Sequence, residues 1–233
     1  MKRSTITLLS ILLTMPLAFG TATASIASGA SSNWDETDAL QYEWYRSNGV
    51  SSNTAIALIE QFNSGIPLDS MTGGQPGSVL ITETSEEIET KYTFSDGSIS
   101  ISTLEKPAAG SGSLYQSMAV GGCNSVVSGS GYANYYDCAV AGTNGVYLTI
   151  QFRADYTRSS SGLGIINALR SPSASAGGGT ATTPVLSITR KQGYSSSPAR
   201  AQATTQFSNT GASYTARLFL NVHGGNAWTT QDF

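Results

Sequence analysis

Between residues 51 and 65 the chain reads SSNTAIALIEQFNSG, and its apolar side chains recur at Ala55, Leu58, Ile59 and Phe62. Steps of three and four residues put them on one stripe of a helix. Ser51 or Ser52 caps the start and Gly65 closes the end. Upstream, NWDETDALQYEWYRSNG predicts another helix. Asn33 or Asp35 caps it, the acids of its first turn complement the helix dipole, and Asn48-Gly49 stops it. NGVSS joins the two into a helical hairpin.

After the glycine-rich MTGGQPGS the period changes from helical to alternating. In IETKYTF, Ile88, Tyr92 and Phe94 share one face while Glu89, Lys91 and Thr93 take the other. SISIST alternates Ile99 and Ile101 with serines, and the intervening Asp-Gly marks a hairpin turn. YLTIQFRADY is the clearest strand: Leu148, Ile150, Phe152, Ala154 and Tyr156 point one way, Arg153 and Asp155 the other. ARLFLNVH buries Leu218, Leu220 and Val222, and VLSIT adds Leu186 and Ile188. Short strands with frequent turns and no strand–helix alternation predict a mainly β protein, an antiparallel β-sandwich or barrel preceded by the N-terminal helical hairpin. SPSASAGGGTATTP (171–184) reads as a loop within one domain, because the roughly 50 residues after it are few for a separate core.

The first residues change the picture of where this fold operates. Lys2 and Arg3, the run LLSILLTMPLAF and the small-residue segment GTATAS have the three parts of a secretory signal peptide, with Ala22 and Ala24 at an A-x-A cleavage site. The organisation expected is a signal peptide over 1–24, a helical hairpin segment over 25–69 and an antiparallel β domain over 70–233. A soluble exported chain without a membrane anchor follows, bound for the medium or a periplasm.

Charge is sparse and uneven. Charged residues are 12% of the chain and aromatics 9%, a balance that favours a folded, polar, uncharged surface over disorder. From Ser25 to Glu105 there are 12 acidic and 2 basic residues, a net of −10; from Lys106 onward, 8 basic and 3 acidic, a net of +5. The mature chain is acidic overall and its arginines are scattered, which argues against a nucleic-acid partner.

Both cysteines lie in CNSVVSGSGYANYYDC, where GSG turns one strand back on another. In an exported chain with two cysteines, Cys123 and Cys138 are expected to form a disulfide. The spacing is too long for a C-x-x-C redox pair, and a zinc site would need four ligands where only His223 could add an imidazole. No cofactor motif occurs: a single histidine excludes zinc helices and histidine clusters, and neither G-x-S-x-G nor a phosphate-binding loop is present.

What remains is modest. His223 could serve a serine nucleophile, but it falls on the polar face of its strand. Glu87 and Glu89 share a strand face at a spacing compatible with a glycosidase pair, though with Glu86 they also read as a solvated edge. DETD lacks the ligand spacing of a calcium loop. Surface rings are the better lead. Tyr135 falls opposite the Cys138 face by alternation. Tyr147, Phe219 and Trp228 are candidate stacking residues for sugar rings, with Asn, Gln and Thr nearby to meet hydroxyls; a second sheet or the hairpin covering them is the competing reading.

The stretches GVSSNTAIALIEQFNSGIPLDSM, YTFSDGSISI and SGSGYANYYDC together resemble a group of uncharacterised secreted actinobacterial proteins. The resemblance implies export and a shared fold, and transfers no catalytic residue. The function expected is non-catalytic binding of an extracellular glycan, a cell surface or a protein. A carbohydrate hydrolase using Glu87 and Glu89, and an exported inhibitor or toxin-like protein, are the alternatives.

Overall fold

Helix α1 (Glu36–Ser47) starts at Asp35, whose carboxylate accepts from the Asp38 amide at 2.9 Å while the Asp38 carboxylate accepts from the Asp35 amide at 3.3 Å, a complete capping box. Gly49, at φ 83°, ends the turn that follows. Helix α2 (Ser52–Asn63) is capped by Ser51, and its stripe of Ala55, Leu58, Ile59 and Phe62 is buried throughout. The computed structural model describes residues 34–107, 123–209 and 213–233. The segment read as a signal peptide lies outside them.

Among the described residues, twelve antiparallel strands follow. β1 (Ser78–Glu83), β2 (Glu87–Thr93), β3 (Ile99–Glu105), β5 (Tyr132–Thr143), β6 (Thr149–Ser159) and β7 (Ile165–Ser175) lie side by side in that order. β4 (Ser125–Gly129) prolongs the line of β3, pairing with the first half of β5 where β3 pairs with the second. The second sheet runs β12 (Asn226–Asp232), β11 (Ser213–His223), β10 (Ala199–Ser208). Its far edge is split between β8 (Thr180–Ala181) and β9 (Val185–Arg190), which pair with opposite ends of β10.

The sheets stack as a sandwich, β6 on β11, β3 on β12 and β7 on β10. Ile150, Phe152, Ala154 and Tyr156 meet Ala201, Ala203, Leu218, Leu220 and Val222, all of them buried. The segment after residue 184 is therefore one layer of the core. The stretch 171–184, expected as a loop, instead supplies the end of β7 and all of β8; its serines and alanines pair with Thr149, Ile150 and Gln151 across the sheet. Both faces of SISIST are buried. Ser100 and Ser102 turn toward the second sheet, where the Thr229 hydroxyl bonds Ser102 at 2.8 Å, and Ile99 and Ile101 take the opposite side.

The hairpin closes one end of the sandwich. Gln41, fully buried on α1, donates to the Asn144 carbonyl at 3.1 Å and accepts from the Val146 amide at 2.8 Å, so one side chain pairs two backbone groups of the β5–β6 turn. Phe62 stacks on Tyr147 with ring centres 3.9 Å apart.

Cys123 and Cys138 form a disulfide that ties the start of β4 to β5. Beside it the β5–β6 register slips between Tyr135 and Cys138, and Asp137 takes a positive φ of 53°. Such a backbone costs about 1–3 kcal/mol and persists only where its surroundings fix it. Here the Asp137 amide donates to Asp155 at 2.7 Å, its carbonyl accepts from Arg153, and its carboxylate pairs with Arg170 at 2.9 Å. The extra residue flips the strand's parity. Tyr135, which alternation placed opposite Cys138, packs inward on Tyr156 at 4.8 Å and is 9% exposed.

Hydrogen bonds from Arg170 hold the Asp155 carboxyl below its ordinary value. A carboxyl lowered by folding contributes stability that is complete above its unfolded pKa, about 3.9, and that disappears as pH falls through the lower folded value. Below about pH 4, the stability gap between the native chain and Asp155→Asn should therefore close, as read by urea midpoints across a pH series.

Candidate binding face

In β11 the inward residues are Leu218, Leu220 and Val222, so Arg217, Phe219, Asn221 and His223 face out; in β12, Trp228, Thr230 and Asp232 do the same. The register sets Asn221 opposite Trp228 and Phe219 opposite Thr230, and Asn221 donates to the Thr230 hydroxyl at 3.2 Å. Two rings singled out from the sequence thus share one face of the second sheet.

β10 completes that face. Its alanines at 199, 201 and 203 are fully buried, which turns Arg200 and Gln202 outward. The Arg200 guanidinium sits 3.9 Å from the centre of the Phe219 ring, a cation–π contact that leaves Phe219 only 9% exposed. Across the β9–β10 pairing Arg200 opposes Arg190, at an irregularity in the register. Burial, and then the charge of Arg190, pull the Arg200 guanidinium below its ordinary value. The Arg200 Nε is buried without a hydrogen-bond partner. Among the described residues, none of Arg190, Lys191 and Arg200 forms an ion pair.

Arg190 also borders a concavity of about 620 Å³ at the end of β9, lined by Ile165, Thr189, Arg190, Lys191, Gln192 and Tyr194. Among the described residues no acidic side chain lines it, and Tyr194 is 64% exposed. Cationic, aromatic and amide groups therefore run from Trp228 through Phe219 and Arg200 to Tyr194. Like charges held close together favour an anion, and flat rings beside Asn, Gln and Thr suit a saccharide.

Tyr147 takes no part in this face. It lies at the helical end and is 1% exposed, with Phe62 against its ring. A ring already stacked has no open face for a sugar, so the hairpin covers Tyr147 as the competing reading held. Phe219 is likewise beneath Arg200, and Trp228 alone of the three stays partly open. Arg190, Lys191 and Arg200 were not among the sequence candidates. The alternation of ARAQAT, with alanines inward, carried a signal for Arg200; its pairing with Phe219 and Arg190 depends on register.

The remaining candidates stay apart. Glu87 lies opposite Glu105 on β2 and β3; burial, and then the charges of Glu89, Glu86 and Glu105, raise its carboxyl above the ordinary value. A cavity of about 210 Å³ at the sandwich mouth is lined by Glu83 and Glu105 with Tyr135, Tyr156 and Arg158, but not by Glu87 or Glu89. His223 makes no hydrogen bond to a serine hydroxyl among the described residues, and its Nδ1 is buried without a partner. Asp35 and Asp38 of DETD form the capping box of α1. No group of three or more His, Cys, Asp or Glu among the described residues is arranged to hold a metal ion. Nor is any described helix long and apolar enough to cross a membrane.

No protein-family model matches this sequence, and no curated protein matches it. Among solved structures, a hypothetical protein of Listeria monocytogenes aligns with 19% identity and a TM-score of 0.34, over 61% of this chain and 91% of that one.

Proposed function

We infer that this is an exported, non-catalytic binding protein whose outward face on β9–β12 takes an acidic extracellular glycan. One observation carries the reading: Arg200, laid on Phe219, is opposed to Arg190, and among the described residues no carboxylate pairs with either. The opposed charges of Arg200 and Arg190 favour an anionic group, and the partly open Trp228 offers a ring for an adjacent sugar. The disulfide supports an oxidising destination, as does the likeness of three stretches to secreted actinobacterial proteins.

Co-sedimentation with intact cell walls, cellulose, chitin, xylan and cross-linked polygalacturonate tests this, with soluble sugar measured in the same tubes. The protein should pellet with polygalacturonate and with walls rich in acidic polymers, and release no sugar. Binding should weaken steeply toward 1 M salt, where the screening length falls to about 3 Å. Arg200→Gln should lower affinity roughly tenfold, the scale of one charge-assisted hydrogen bond. Equal, salt-insensitive binding to cellulose or chitin would overturn the acidic-glycan reading. Sugar release would instead make Glu87 and Glu89 the residues to mutate, and capture of none of the polysaccharides would favour a protein partner.

A further inference from the structure

Strand β1 ends the first sheet, and all of its residues are exposed. Val79, Leu80 and Ile81 are 50%, 57% and 65% exposed, so apolar side chains stand in water on both faces of the strand. Its backbone is open as well. The Thr84 amide donates to the Glu87 carbonyl at 2.9 Å, which closes the β1–β2 hairpin with a hydrogen-bonded pair. Along the unbroken register from that pair, Ser78, Leu80 and Thr82 turn their amides and carbonyls toward β2, and Val79 and Ile81 turn theirs away. Among the described residues nothing pairs with that outer edge.

A free row of amides and carbonyls templates another strand, and sheet edges are ordinarily guarded against it. The other three sheet ends each show a guard. At β12 the Thr229 carbonyl accepts from the Tyr92 hydroxyl at 3.2 Å, and just beyond it the Phe233 carbonyl accepts from the Gly73 amide at 3.0 Å. β7 contains Pro172 and irregular register, and its Ile166 amide donates to the Lys191 carbonyl. The last end is broken between the two-residue β8 and β9. β1 has no such device: from Ser78 to Thr82 it carries no charge, no proline and no bulge.

We propose that β1 is a self-association edge, through which two copies of this chain pair antiparallel with the twofold axis at Leu80. The strand's own sequence selects a second copy, because Ser78-Val79-Leu80-Ile81-Thr82 reads polar, apolar, apolar, apolar, polar in either direction. About that axis, Val79 of each copy exchanges both backbone hydrogen bonds with Ile81 of the other. Leu80 meets Leu80, and Ser78 meets Thr82, so every cross-strand pair is matched in polarity. Glu83 falls opposite Gly77 of the other copy, which leaves the two carboxylates at opposite ends of the ladder. The axis stands perpendicular to the sheet, so the two first sheets join and both β9–β12 faces lie on one side, where a single polymer can engage both. The pairing itself does not depend on what those faces bind.

Sedimentation equilibrium up to about 1 mM protein, the weak end of specific association, tests this together with amide exchange. The protein should pass from monomer to dimer, with the Val79 and Ile81 amides exchanging fast when dilute and slowly in the dimer. Leu80→Lys sets like charges across the axis and should weaken the dimer about tenfold, as should Leu80→Glu. Mixing these two variants should restore association, a rescue that neither misfolding nor general stickiness produces. Ile66→Lys, at another exposed apolar position, should leave the dimer unchanged. A protein that stays monomeric to that concentration, a dimer indifferent to Leu80→Lys, or a mixture that fails to recover overturns the proposal. So does slow exchange at Val79 and Ile81 in the dilute monomer, which would show the chain covering its own edge. Protection gained by a monomer only on adding culture medium would assign the edge to another protein's strand, and equally overturns it.

Discussion

Replacing Cys123 and Cys138 together by alanine should cost roughly 3 kcal/mol of stability and lower the thermal midpoint by roughly 6–12 °C. The bond closes a 15-residue separation, and opening a loop of that size enlarges the unfolded ensemble by about this amount. Both cysteines are buried, at 5% and 0% exposure, so alanine removes the bond without placing a new polar group inside. The cost should concentrate on β4. Among the described residues that strand pairs only with the first half of β5, and its pairing ends just before the bulge at Asp137. Amide exchange should accelerate first across Ser125–Gly129, while β10 and β11 stay protected. A midpoint drop below about 2 °C, with β4 still protected, would show that the Asp137–Asp155–Arg170 network holds this corner unaided.

Gln41→Ala should be comparably damaging, by about 2–4 kcal/mol, without touching any apolar contact of α2. Its amide satisfies the Asn144 carbonyl and the Val146 amide, both in a turn that the helical hairpin covers. Truncation strands one buried acceptor and one half-buried donor, and each then bears its desolvation cost. The loosened part should be the hairpin, so limited proteolysis ought to cut between residues 46 and 52 before any strand is reached. Chemical denaturation of the same variant checks the magnitude. If stability falls by less than about 0.5 kcal/mol, the stripe from Ala55 to Phe62 docks the hairpin on its own.

The two predictions concern opposite ends of one sandwich, and the charge asymmetry of the chain is partly sorted between those ends. The acidic N-terminal third supplies the helices over one end, with Asp35, Glu36 and Asp38 at the start of α1. The later, basic part supplies Arg190, Lys191 and Arg200 at the other end of the β9–β10 pair. Separated charge of this kind sustains an anion-favouring surface at the end that carries Arg190, Lys191 and Arg200.

Read alone, the sequence determined the elements and the staple. Helical period and caps set α1 and α2 within a residue or two, because local hydrogen bonds and one apolar stripe decide them. Alternation likewise set β6 and the inward faces of β11, and export signals with an even cysteine count pointed to the disulfide. Tertiary structure decided which faces are open. Alternation fails wherever a bulge inserts a residue, so Asp137 sent Tyr135 inward. Nor does alternation say what lies above an outward ring: Phe62 covers Tyr147 and Arg200 covers Phe219, contacts that span 85 and 19 residues of chain. The candidate face arises from such distant pairings, since a binding surface is made by register and packing between elements, while a local pattern reports only on its own.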